Sequence, residues 1–347
     1  MLFTSSDEVT KLSHEIEKFD GGAGELVAWV KIPSLSSSAN TTIYMYYGNA
    51  GASDQQDATN VWDANYKVVQ HMEEAAGGTN AILDSTSNAN HGSDNGTPTF
   101  GASGNISNAI YFDGIDDFIN FGTAASLDFT DNITIEAWVS NNSVPTRNPA
   151  VSKGCYVSAA DSKYILFYSS ESDCLIHWIV RHDGNKKEVT NAEVGANQWH
   201  HLVGVYDDGS MELFVNGSTV GTETGADLQS TAAYPLLVGK WSTSFFKGLI
   251  DEVRISDKAR SSDFISTSYN NQGSPSTFYS LGAEQTPAPA PTVTTGSATL
   301  VEETTATLHG TLTDDSGENC QYRFRWGTTS GGPYTDKHNM DRQYKYQ

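Results

Sequence analysis

The chain has 347 residues, with 42 acidic against 20 basic side chains and a formal net charge of −22. A surface so negative repels phosphate backbones, so a nucleic-acid partner is not expected. No apolar run approaches the ~20 residues of a membrane span, so membrane insertion is not expected either.

Residues 1–66 hold two clear strand patterns. Leu26-Val-Ala-Trp-Val-Lys-Ile32 ends at Pro33, and Thr41-Thr-Ile-Tyr-Met-Tyr-Tyr47 ends at Gly48. The Ser-rich stretch between them is a polar connection. Residues 67–285 carry many apolar runs at short spacing, among them 67–72, 110–112, 118–121, 133–139, 163–168, 175–181, 199–206, 211–215, 235–238, 249–255 and 278–281. Thirty-one glycines punctuate them, and Asn216-Gly217 is a strong tight-turn signal. One short helix is expected over 262–270, with Ser261 or Ser262 as its N-cap. The pattern predicts an all-β chain: an antiparallel two-sheet jelly-roll sandwich with partial β modules on either side.

Residues 286–291 read Thr-Pro-Ala-Pro-Ala-Pro and form an extended linker. Beyond it, 298–301, 305–312 and 320–326 alternate like strands of another β module, shorter over 292–347 than a full immunoglobulin-like sandwich.

Several segments together resemble a known family. They are Phe112-Asp-Gly-Ile-Asp-Asp-Phe118, Ile133-Thr-Ile-Glu-Ala-Trp-Val139, Trp199-His-His201, Leu213-Phe-Val-Asn-Gly217 and Gly248-Leu-Ile-Asp-Glu-Val-Arg-Ile255. Over 67–285 the chain resembles the LamG-like jelly roll of the concanavalin A-like lectin/glucanase superfamily. Residues 1–66, through His14-Glu-Ile-Glu17, Val27-Ala-Trp-Val-Lys-Ile-Pro33 and Thr41–Asn49, resemble the second half of the DUF2341 domain. Residues 292–347 resemble the start of a fibronectin type III-like module. DUF2341 and LamG-like modules together imply an exported prokaryotic protein. The chain then reads as a fragment cut at both ends, which accounts for a start, Met1-Leu-Phe-Thr-Ser-Ser-Asp7, that lacks the basic and apolar parts of a signal peptide. The expected location is extracellular or at the cell surface.

The chemistry legible in the sequence is sparse. Asp84-Ser-Thr-Ser-Asn-Ala-Asn-His-Gly92 is rich in oxygen ligands of the kind calcium takes. The resemblance implies a structural Ca²⁺ joining this loop to Ile250-Asp-Glu252, with Asp84, Asn88, Asn90 and Asp251 as ligands. The alternative is an Asx-rich turn satisfied by its own backbone. Asp113-Gly-Ile-Asp-Asp117 offers a second acidic loop, read mainly as a turn. His200 and His201 are adjacent on a strand and point to opposite faces, so they do not share a metal. Asp251 and Glu252 are expected to face opposite ways for the same reason.

No Glu-x-Asp-x-Glu strand of a glucanase is found, and Glu15 and Glu17 alternate only in the N-terminal segment. The expectation is therefore a non-enzymatic recognition or adhesion module, binding a glycan or a surface protein. The alternatives are a structural, self-assembling surface module and a glycan-degrading enzyme. Tyr156, Trp241 and Phe245 are the candidate carbohydrate-stacking residues, by position at loops and strand ends. Of the three cysteines, Cys155 and Cys174 flank one strand, and a hairpin there permits a disulfide worth about 3 kcal/mol. Two free buried thiols are the alternative.

Overall fold

The computed structural model describes residues 1–142, 148–154, 162–168, 175–182, 185–228, 230, 234–285, 292–300 and 307–314. The chain divides into two compact units, Met1–Tyr279 and Ser280–Gln347. The expected all-β antiparallel sandwich forms within the first.

One sheet has seven strands, in the order Asn185–Glu193, Leu175–His182, Ser162–Tyr168, Asn148–Gly154, Leu236–Val238, Phe118–Asn120, Ser93–Asn95. The other runs Ser218–Thr224, Ser210–Val215, Trp199–Asp207, Asn132–Asn141, Lys247–Ser256, Asn108–Asp113, Thr99–Ser103, with Tyr66–Gln70 also paired to Lys247–Ser256. Alternation along each strand supplies the core. Ile133, Ile135, Ala137 and Val139 enter it from one sheet, and Tyr164, Leu166, Tyr168, Ile176, Trp178 and Val180 from the other. Trp178 spans the gap, its Nε1 donating to the Val205 carbonyl at 2.9 Å. Its ring lies where a Cβ on Gly204 would come within 2.6 Å, so the close approach of strand and indole requires glycine there.

The outer face of the eight-stranded sheet is also buried, under two covers. Helix Ser262–Gly273 lays Ile265 on Val203, Val205 and Phe214. It starts where expected, with Ser261 Oγ accepting from the Phe264 amide. The second cover is the antiparallel hairpin His14–Asp20 with Glu25–Val30. Beside it, Leu2–Ser5, Lys11–Leu12 and Ile43–Tyr46 form a small sheet.

Two expectations need correction. Residues 278–281 are not a strand: Pro275–Phe278 is a helical turn with proline in its first turn, where a fixed φ and a missing N–H cost nothing. Strands Asn185–Glu193 and Ser218–Thr224 went unpredicted because they are edge strands with no sustained apolar alternation to betray them. In the second unit, Thr292–Thr299 pairs with Thr307–Asp314; the strand expected over 320–326 lies outside the described residues. No helix among the described residues is long and apolar enough to cross a membrane.

Candidate functional site

The residues expected to hold calcium serve local bonds. Asp84 Oδ1 accepts from the amides of Val69 and Thr86, and Oδ2 from the Thr86 hydroxyl and the Asn90 amide. Asn88 donates to the Tyr66 carbonyl and Asn90 to the Lys67 carbonyl, so the loop is tied to the neighbouring strand by its own side chains. Asp251 belongs to another set: its Oδ2 accepts from the amides of Asn105 and Ile106, and it shares no hydrogen-bond partner with Asp84, Asn88 or Asn90. Asp117 likewise serves its turn, accepting from the Asp113 and Thr97 amides.

Trp241 requires a correction as a sugar-stacking residue. It is 3% exposed and packs with Ile165, Phe167 and Ile179, its ring stacked 6.0 Å from Phe167, so it has no free face. Its strand, Lys240–Trp241, pairs with Ser244–Phe245 in a hairpin. Phe245 is half-buried beside Phe118, with Lys240 Nζ 5.0 Å from its ring and 4.0 Å from that of Phe118. Tyr156, Cys155 and Cys174 lie outside the described residues.

The densest chemistry sits on the outer face of the eight-stranded sheet, under the N-terminal hairpin. It joins residues the sequence shows only as fragments: Glu15 and Glu17, His201, and Asp251 with Glu252. A β-bulge creates it. Asp251 faces Trp138 and Arg254 faces Glu136, so three steps on one strand match two on the other. The extra residue, Glu252, takes a φ of +49° and is re-aimed to the outer side. The two carboxylates are therefore not sent to opposite faces, contrary to simple alternation. Pairing of Gln70 with Val253 then brings His71 level with Glu252.

His71 Nδ1 lies 2.9 Å from Glu252 Oε1 and 3.5 Å from Glu17 Oε2, and its Nε2 lies 3.4 Å from Glu15 Oε2. Arg254 binds Glu136 at 3.1 Å and also Glu252. Its guanidinium lies 4.2 Å from the Trp29 ring and 5.0 Å from that of Trp62, a cation–π contact on both. Trp29 stacks on His71 at 5.6 Å and donates from Nε1 to Glu17 Oε2 at 2.8 Å. Trp62 Nε1 and Ser85 Oγ donate to Glu15. Trp138 donates to Gln272 of the covering helix and lies 5.1 Å from the His201 ring.

Burial dominates the electrostatics. It pushes Glu17 up to about 9, with the neighbouring Glu252 charge adding to the effect. It pushes Asp251 well above the carboxylate range, Glu252 again contributing. Burial alone would drive the His71 imidazole down, but Glu252, Glu15 and Glu17 outweigh it and hold its pKa well above the ordinary value. Burial also opposes ionisation of Glu136, yet His201 and Arg254 hold it at about 2. The sequence signals for this cluster are fragments, the alternation of Glu15 with Glu17, His201 and the adjacent Asp251 and Glu252, and none of them says that they share one face of one sheet.

A second feature is open to solvent. At the edge formed by Ser93–Asn95 and Phe118–Asn120, a cavity of about 360 Å³ is lined by Asn80, His91, Asp94, Asn95, Asn120 and Phe121, with Thr79, Ser93 and Gly122. The Asp84 amide donates to His91 Nδ1, which leaves the ring proton on Nε2. Asp94 Oδ1 accepts from the Gly78 amide. Asn120 Oδ1 accepts from the Gly122 amide, which leaves its Nδ2 donors to the cavity.

With the geometry in view, comparison with known proteins assigns two segments. Residues 112–266 match Laminin_G_3, of the concanavalin A-like lectin/glucanases superfamily. Residues 1–123 match DUF2341, a domain of unknown function. The matches overlap within the first compact unit, so the DUF2341 segment runs past residue 66 into strands of the sandwich. No curated protein matches the chain.

Among solved structures, domain 4 of AbnA, a GH43 extracellular arabinanase from Geobacillus stearothermophilus solved with arabinotriose, is similar at 19% identity. That match covers 58% of this chain and 97% of that one, with a TM-score of 0.47. The binding domain of Paraclostridial Mosquitocidal Protein 1 is 14% identical over 60% of this chain and 52% of that one, TM-score 0.48. The binding domain of botulinum neurotoxin DC, in complex with rat synaptotagmin II, is 10% identical over 60% and 52%, TM-score 0.48. The chain thus spans about half the length of these two toxin domains.

Proposed function

We infer that this chain is a non-catalytic recognition module of an exported, surface-associated protein, and that it binds carbohydrate at the cavity bounded by Asn80, Asp94 and Asn120. One observation supports this most directly: a solvent-open cavity of about 360 Å³ lined by amides, a carboxylate and an imidazole N–H, with Phe121 in its wall. Sugar hydroxyls are donors and acceptors at once. Side-chain amides and a carboxylate pair with both roles, and Phe121 adds apolar surface for the sugar's C–H groups. The buried carboxylates under the N-terminal hairpin are closed off from substrate, which favours binding over glycoside hydrolysis.

The test is a glycan microarray on the full chain, followed by calorimetry with the best-bound sugar. Binding is expected to fall at least tenfold in Asn80→Ala/Asp94→Ala, with an unchanged circular dichroism spectrum. Absence of any bound glycan, or a double variant that binds equally well, would falsify the reading and leave a structural surface module.

A further inference from the structure

Glu17, His71 and Glu252 come from three separate stretches of chain, yet each offers a ligand atom within 4.8 Å of the other two. Glu17 is on the hairpin strand His14–Asp20, Glu252 in the bulge of Lys247–Ser256, and His71 just past strand Tyr66–Gln70. All three are buried. Each ligand is held from behind. His71 Nε2 lies 3.4 Å from Glu15, an ion-pair contact without hydrogen-bond geometry, and Ser85 and Trp62 hold Glu15 in turn. Glu252 keeps its second oxygen on Arg254, and Glu17 takes the Trp29 indole N–H. A carboxylate behind a ligating imidazole and a fixed partner behind each ligating carboxylate are the usual outer supports of metal sites.

A separate observation concerns the same cluster. Glu17 has a fully buried side chain, and its Oε1 has no hydrogen-bond donor. Asp251, fully buried and adjacent to Glu252, has an Oδ1 with no donor either. A buried carboxyl oxygen without a donor leaves its hydrogen-bonding capacity unmet, and a bound cation would satisfy it. Carboxyl groups here also outnumber the basic groups: Glu15, Glu17, Glu136, Asp251 and Glu252 surround one guanidinium and the imidazoles of His71 and His201.

We propose that Glu17, His71 and Glu252 bind a divalent transition-metal ion, of which Zn²⁺ is the best match, and that this ion fastens the N-terminal hairpin to the jelly roll. The donor set selects the metal. One imidazole nitrogen with carboxylate oxygens suits Zn²⁺ or Mn²⁺, whereas Ca²⁺ takes oxygen alone. The spacing fits as well. Tetrahedral ligands at about 2.0–2.2 Å from zinc lie roughly 3.4 Å apart, and His71 Nδ1 is 2.9 Å from Glu252 Oε1 and 3.5 Å from Glu17 Oε2. Trp29 stacked on the imidazole fixes the plane of the ring, and the incoming metal would displace the proton that Nδ1 shares with Glu252. A site with ligands from both hairpin and sheet couples metal binding to docking of the hairpin. It is independent of the sugar cavity, with which it shares no residue.

The test uses the full chain, stripped by a chelator and titrated with ZnCl₂, MnCl₂ and CaCl₂ in a calorimeter, with elemental analysis of the reloaded protein. The expected result is one Zn²⁺ per chain and a rise in melting temperature with Zn²⁺ that Ca²⁺ does not reproduce. Glu17→Gln is expected to lower zinc affinity at least tenfold, and Asp113→Asn, half-buried in the separate acidic turn, to leave it unchanged. Should Glu17→Gln fail to fold, Glu15→Gln serves instead, because it keeps all three ligands and removes the charge facing the imidazole, with a tenfold loss expected. Substoichiometric metal, an unmoved melting temperature, or equal affinity in Glu17→Gln and the parent overturns the proposal.

Discussion

The two faces of strand Asn132–Asn141 solve the same problem in different ways. Inward, Ile133, Ile135, Ala137 and Val139 meet the opposite sheet in a core made almost wholly of apolar side chains. Outward, Thr134, Glu136, Trp138 and Ser140 are just as buried, but Glu136 and Trp138 sit among His201, Arg254 and Gln272 under a helix and a hairpin. The inner face needs only shape and area, which any well-fitting apolar set supplies. The outer face needs each charge matched, because an unpaired buried charge costs far more than an imperfect apolar contact. The first is therefore tolerant and the second specific.

Three measurements break or sharpen that contrast. The largest effects come from a pair of variants. Trp178→Ala opens the inner core, and Arg254→Leu leaves Glu136 and Glu252 without their guanidinium. Each is expected to cost about 3–5 kcal/mol in urea unfolding at neutral pH. Only the Arg254→Leu penalty is expected to shrink on acidification, as carboxyl groups take up protons. If both penalties respond alike to pH, the distinction between the two faces is wrong.

Next comes Lys153, an ion on the apolar side. It is 1% exposed, donates from Nζ to the Leu127 carbonyl at 2.7 Å, and is pulled by burial from 10.5 to about 8. The folded state thus binds fewer protons than the unfolded one between these values. The neutral amine's share of stability is fully present above pH 10.5 and is lost as pH falls through about 8. Relative to Lys153→Met, the parent is expected to gain up to about 3 kcal/mol between those limits. A constant difference between the two proteins across that range would refute the burial effect.

The smallest effect tests the helical cover. Ser261→Ala removes the side-chain cap of helix Ser262–Gly273 and is expected to cost about 1 kcal/mol by thermal unfolding. No loss would mean that Ile265 and Gln272, not the cap, hold the cover in place.

Much of the fold was legible in advance because its signals are local. Alternation in 133–139, 199–206 and 249–255 announces half-buried strands, and Asn216-Gly217 announces a turn. The edge strands Asn185–Glu193 and Ser218–Thr224 were not legible, since a strand with solvent beside it needs no apolar alternation. The candidate site was legible only as scattered pieces. Trp241 shows the limit from the other side: an aromatic at a hairpin looks available until Phe167 is found stacked against it.

The sequence by itself therefore determined an all-β sandwich, its apolar face and its acidic surface, because each depends on the order and kind of neighbouring residues. Only the tertiary structure decided that Glu17, His71 and Glu252, separated by 54 and 181 positions, come together. Their meeting rests on a single extra residue in one strand, which turns Glu252 out of its expected face, and on a hairpin docked over it. Strand periodicity carries no record of either, since a bulge shifts the register and docking joins elements that share no local pattern.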